Sequence, residues 1–103
     1  MSVLGIVVEE ESGRPVPGLR IRAFDKDLLR DDDLGDSITD AEGRFEIVFT
    51  EAHFRDFTET APDLYIRVYD AQGRLLHSTE NEVRRNARAR EYFEVAIPRS
   101  KLI

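Results

Sequence analysis

Six carboxylates crowd residues 25–36 (DKDLLRDDDLGD), on Asp25, Asp27, Asp31, Asp32, Asp33 and Asp36, against the two cations Lys26 and Arg30. Clustered carboxylates are hard oxygen donors, and the chemistry they suit is calcium coordination, which takes about six to eight oxygens. The helix–loop–helix form of such a site is excluded by spacing. Counted from Asp31, acids fall at the first and third positions (Asp31, Asp33), but glycine arrives one place early, at Gly35. A loop-borne site remains open, with Asp40 or Asp70 approaching from neighbouring turns and affinity in the millimolar range. The competing reading is a solvated or protein-docking loop. Each pair of like charges about 4 Å apart in water costs only about 1 kcal/mol, and salt, Lys26 and Arg30 lower that further. The acids therefore need no cation to be tolerated. The docking or solvated loop is the leading expectation, calcium the alternative, and no other cofactor is expected.

Few other residues could do chemistry. The chain has no cysteine and only two histidines, His53 and His77, so thiolate metal sites and disulfides are excluded. His77 and Ser78 are adjacent in a strand-like segment, which points them to opposite faces and prevents a nucleophile–base pair. No glycine-rich phosphate loop or HExxH pattern occurs. The segment 84–90 (RRNARAR) holds four arginines, Arg84, Arg85, Arg88 and Arg90. No aromatic residue is interleaved for base stacking, and the net charge of −6 opposes phosphate binding. Nucleic acid is not an expected partner, and the arginines read as a solvated loop facing acidic residues. The N-terminus lacks both a basic flank and a long apolar run, so neither a signal peptide nor a membrane span is expected. Synthesis in the cytoplasm is the expectation, with any export left to a dedicated machine or a fusion partner.

The elements that must position these residues are strands. At 103 residues, 41% of them hydrophobic, the chain suits one domain, 1–103, with a single core. Its apolar segments alternate or form short runs bounded by turn residues: 3–10, 19–25, around 37–39, 44–49, 64–70, 74–78 and 92–98. In 64–70 the alternation sends Leu64, Ile66 and Val68 inward and Tyr65, Arg67 and Tyr69 outward. Two D-A-x-G-R stretches, Asp40 to Arg44 and Asp70 to Arg74, read as hairpin turns in which aspartate accepts backbone N–H groups and glycine takes positive φ. Residues 51–60 suit a short helical crossover that Pro62 ends, with Phe54 and Phe57 capping the core. About seven strands of this kind describe two stacked sheets, an all-β sandwich.

Particular motifs sharpen this. Gly5 in the first strand, the turn Gly13-Arg14-Pro15-Val16-Pro17-Gly18, the apolar strand from Leu19 to Phe24 and the hairpin Thr39-Asp40-Ala41-Glu42-Gly43-Arg44-Phe45 resemble the transthyretin-like and carboxypeptidase regulatory-like β-sandwich family. The second half of the chain is similar to modules attached to bacterial toxins and secretion-spike proteins. The resemblance implies a seven-stranded antiparallel Greek-key sandwich of transthyretin-like or immunoglobulin-like type, carried as a non-catalytic appendage. Hydroxyisourate hydrolases of this family carry a first-strand histidine and a Tyr-Arg-Gly-Ser tail; here the first strand is Leu4-Gly5-Ile6-Val7-Val8 and the chain ends Pro98-Arg99-Ser100-Lys101-Leu102-Ile103. Iron dioxygenases with the same hairpin need paired tyrosines and histidines, which are missing.

The expected function is thus a protein-interaction or adaptor module, carried with a toxin or secretion system, as a monomer or an edge-strand homodimer. Its binding face is expected to hold Tyr65, Arg67, Tyr69 and Tyr92, residue types that interfaces favour. The calcium alternative uses the acids of 25–36.

Overall fold

The computed structural model describes residues 1–50 and 61–103, so the helical crossover expected at 51–60, with His53, Phe54 and Phe57, lies outside the described residues. Seven strands are described: β1 (Ser2–Glu9), β2 (Arg20–Asp25), β3 (Asp32–Ile38), β4 (Arg44–Val48), β5 (Leu64–Tyr69), β6 (Leu75–Ser78) and β7 (Arg90–Ile97). They form two sheets, one ordered β4-β1-β7 and the other β3-β2-β5-β6. The chain passes between sheets after β1, β3, β4 and β6, which makes an all-β sandwich.

Side-chain alternation builds the core between the sheets. Val3, Val7, Phe45, Ile47, Phe93, Val95 and Ile97 enter from the three-stranded sheet, and Ile21, Ala23, Leu34, Leu64, Ile66, Val68 and Leu76 from the other. Gly5 sits where β1 has no room for a side chain, because a Cβ there would lie 2.0 Å from the Phe93 carbonyl oxygen. Both D-A-x-G-R turns form as read. Asp40 Oδ1 accepts the N–H groups of Glu42 and Arg44, both at 2.9 Å, and Asp70 Oδ1 accepts those of Gln72 at 3.0 Å and Arg74 at 2.8 Å. Gly43 and Gly73 take the positive φ, 72° and 83°.

Three features depart from expectation. β1 and β7 run parallel, so the three-stranded sheet is mixed rather than wholly antiparallel. A parallel pair needs a long connection, and the whole chain between Glu9 and Arg90 supplies it. Secondly, the third strand is longer than the stretch around 37–39 and takes in Asp32, Asp33 and Asp36. Aspartate disfavours strands in isolation, but here pairing with β2 overrides that preference. A bulge between Ala23 and Phe24 breaks the register and is accommodated by Gly35 at φ 122°. Thirdly, Tyr65 points away from the core as expected, yet it is only 1% exposed. The loop joining β2 to β3 covers it.

Candidate functional site

That loop, residues 26–31, is fixed at its base and open at its tip. The Lys26 N–H donates to the Asp63 carbonyl at 2.8 Å, which ties the loop to the start of β5. Asp31 closes it from the far side: its Oδ1 accepts the Asp27 N–H at 3.0 Å, and its Oδ2 accepts the Tyr65 hydroxyl. Lys26 Nζ reaches Glu80 Oε2 at 3.2 Å and stands 4.0 Å from Asp31. Beyond this base the chain turns back, with the Leu28 N–H on Asp27 Oδ1 at 2.6 Å. Leu28 and Leu29 then stand in solvent, 99% and 98% exposed.

Below the loop lies a packed network on the outer face of the four-stranded sheet. The Phe24 and Tyr65 rings stack with centroids 5.1 Å apart. Arg22 and Arg67 lie over Phe24, each at 5.4 Å, and Lys26 lies 5.9 Å over Tyr65. Arg67 Nη2 pairs with Glu80 at 2.8 Å, while its buried Nε has no hydrogen-bond partner among the described residues. Burial, then the Asp31 carboxylate, hold the Tyr65 hydroxyl far above its ordinary range, so it stays protonated and donating. Burial alone would raise Asp31, but the Tyr65 hydroxyl, the Asp27 N–H and the nearby cations outweigh it and hold that carboxyl below its ordinary value. Arg67 and Lys26 do the same for Glu80.

The six aspartates of 25–36 are engaged separately. Asp25 is buried and accepts the Asp63 N–H at 2.8 Å. Asp27 and Asp31 build the loop base. Asp32 opens β3 opposite Asp25. Asp33 accepts the Gly35 N–H at 2.8 Å and pairs with Arg22 at 2.6 Å, and Asp36 stands 3.4 Å from Arg20. Among the described residues no group of three or more histidines or carboxylates converges as a metal site.

The four residues expected to share a binding face are split. Tyr65 and Arg67 belong to the network just described and Tyr69 lies further along β5, whereas Tyr92 is on β7 in the other sheet and 45% exposed. The physical reason is that alternation sets direction within one sheet but not which sheet a strand joins. Arg84 and Arg85 face acids, as their segment suggested: Arg84 pairs with Glu91 at 3.0 Å and Arg85 with Asp63 at 3.2 Å. The Ser78 hydroxyl accepts the Glu80 N–H at 3.1 Å, and His77 is pushed below its ordinary value by burial and then by Lys101. Leu28, Leu29, Phe24 and Glu80 were not singled out by type or spacing. For the leucines a signal existed: two adjacent apolar residues inside an acidic turn match neither a strand nor a solvated loop.

No protein-family model matches the chain, and no curated protein does. Among solved structures it is similar to the 9R-lipoxygenase from Cyanothece PCC8801, with 24% identity over 94% of this chain and a TM-score of 0.63. The chain spans 16% of that protein's length, and the likeness shows a shared β-sandwich fold.

Proposed function

We propose that this domain is a non-catalytic interaction module that binds another protein through the hairpin tip at residues 27–30. One observation carries the reading: two adjacent leucines are almost wholly exposed on a loop whose base is fixed by hydrogen bonds and ion pairs. Covering a leucine side chain is worth about 1.5–3 kcal/mol, and a loop already held in one shape loses little entropy when it docks. Acids flank the tip at Asp27 and Asp31, so the fitting partner offers an apolar pocket with a basic rim. The similarity of the chain's second half to modules attached to bacterial toxins and secretion-spike proteins supports an adaptor carried with a larger assembly.

The test places a photo-crosslinking amino acid at position 28 in cells that make the protein, with position 75 as the control. The expected result is a protein adduct from position 28 only. The captured protein, once purified, should bind Leu28→Ser/Leu29→Ser at least about tenfold more weakly than wild type, with the melting temperature unchanged. Adducts to lipid alone, or equal affinity for the double variant, overturn the reading.

A further inference from the structure

The three-stranded sheet presents an apolar face on its outer side as well as its inner one. Val3, Gly5 and Val7 face the core, so Leu4, Ile6 and Val8 lie on the outside, where they are half-buried by their neighbours. A central strand that is apolar on both faces is the pattern of a strand covered on both sides. Val48 and Tyr92 extend the stripe at 69% and 45% exposure. The register fixes what flanks it. Ser2 lies between Val48 and Arg90, Leu4 between Glu46 and Tyr92, and Ile6 between Arg44 and Glu94. The side chains of Arg44, Glu46, Arg90 and Glu94 take part in no ion pair among the described residues.

We infer that this face docks on the same face of a second copy, about a two-fold axis running along β1. Such an axis lays the β4 side of one copy over the β7 side of the other. Arg44 then meets Glu94 of the second copy, and Glu94 meets its Arg44. Glu46 comes under the Tyr92 hydroxyl of the second copy, and Leu4 and Ile6 pack on their own counterparts. Arg44 and Glu94, left single in one chain, are thus paired in two, as an isologous contact allows, while Arg90 lies over Val48 of the second copy. A foreign partner has no reason to match this order of signs. Pairing through the edges of β7 and β6 is less available. Arg84 Nη1 already occupies the outward Tyr92 carbonyl of β7 at 2.8 Å, and Lys101 Nζ occupies the Leu76 carbonyl of β6 at 3.3 Å. Two eight-residue strands and one of five, about 4.8 Å apart and rising about 3.3 Å per residue, give a footprint of roughly 330 Å² per copy. That is small, so the dimer is weak and concentration-dependent.

The experiment is sedimentation velocity on the 103-residue chain from about 10 μM to 1 mM, with charge variants. Wild type should shift from monomer toward dimer across that range. Arg44→Glu alone and Glu94→Arg alone should each weaken self-association at least about tenfold, because like charges then face each other. A mixture of the two single variants should recover the dimer, since each supplies the sign that the other lacks. Both positions are exposed, so equal melting temperatures will show that the variants fold. Leu28→Ser/Leu29→Ser should leave the dimer untouched, which separates this inference from the hairpin-tip reading. A wild-type chain that stays monomeric throughout, or a dimer indifferent to the charge variants, overturns it.

Discussion

The outer faces of the two sheets are in opposite states. On the four-stranded sheet, outward residues of β2 and β5 are cationic and aromatic, and the chain covers them itself. Phe24 and Tyr65 stack, Arg22, Arg67 and Lys26 lie over their rings, and Asp31, Asp33 and Glu80 neutralise the cations. On the three-stranded sheet the outward residues of β1 are aliphatic, and nothing among the described residues crosses over them. A ring or a guanidinium offers directional contacts that a six-residue loop can meet. An aliphatic stripe offers only area, and area is covered best by another surface of the same kind. The self-sufficient face therefore adds to stability, and the uncovered one is the face that we infer to associate.

The largest effect expected from this contrast is on Tyr65. Interface logic would have Tyr65→Ala fold normally and bind less. Buried under its own loop, Tyr65→Ala should instead cost about 3–5 kcal/mol, which at this size lowers the melting temperature by on the order of 15–25 °C. Tyr65→Phe keeps the ring stack but strips Asp31 of its hydroxyl donor, so about 1–3 kcal/mol is expected. Tyr92→Ala, on the open face, should change the melt little. Thermal unfolding of the three variants side by side checks the contrast, and equal melts for Tyr65→Ala and Tyr92→Ala would break it.

How far the sequence reached follows the same physics. Alternation found the strands, because period two is imposed by the backbone wherever one face is buried. The D-A-x-G-R turns were legible to the residue, because Asp40 and Asp70 act within their own turns. What escaped depended on contacts distant in sequence. Alternation turns Tyr65 outward because direction is local, whereas its cover comes from Asp31 and Lys26, which are distant in sequence. Asp32 and Asp33 were read as loop because their strand preference is poor; Asp25 and Phe24, across the bulge, make them strand. The parallel seating of β7 on β1 leaves no local trace. The outer stripe did leave one, since the unbroken run VLGIVV is what a strand apolar on both faces looks like.

Acid should expose the second difference. Asp31 and Glu80 titrate below their ordinary values of 3.8 and 4.5 in the folded chain. Their contribution is complete above those values and is lost as pH falls through the lower folded ones, because the unfolded chain takes up the protons first. The melting temperature should therefore fall as pH drops below about 4. In Asp31→Asn the fall should be shallower, because one of the linked groups is gone, although the variant starts from a lower melting temperature at neutral pH. A wild-type slope unchanged by Asp31→Asn would show that the loop clamp does not couple to folding.

The smallest effect concerns calcium, and it sharpens what self-sufficiency means. An ion seated in the loop would have to draw Asp31 from the Tyr65 hydroxyl and Asp33 from Arg22. It would also need Asp25, which is buried and held by the Asp63 N–H. Each exchange trades a formed contact for a new one, so the net gain is small even where the oxygens are numerous. The expected change in melting temperature between excess EDTA and millimolar calcium is within about 1 °C. A ligand at 100 times its dissociation constant would add about 2.7 kcal/mol, a shift of ten degrees or more at this size. A rise of that order, specific to calcium and lost in Asp31→Asn/Asp32→Asn/Asp33→Asn, would mean that the covered face is completed by an ion, and its present contacts would then be those of the unliganded loop.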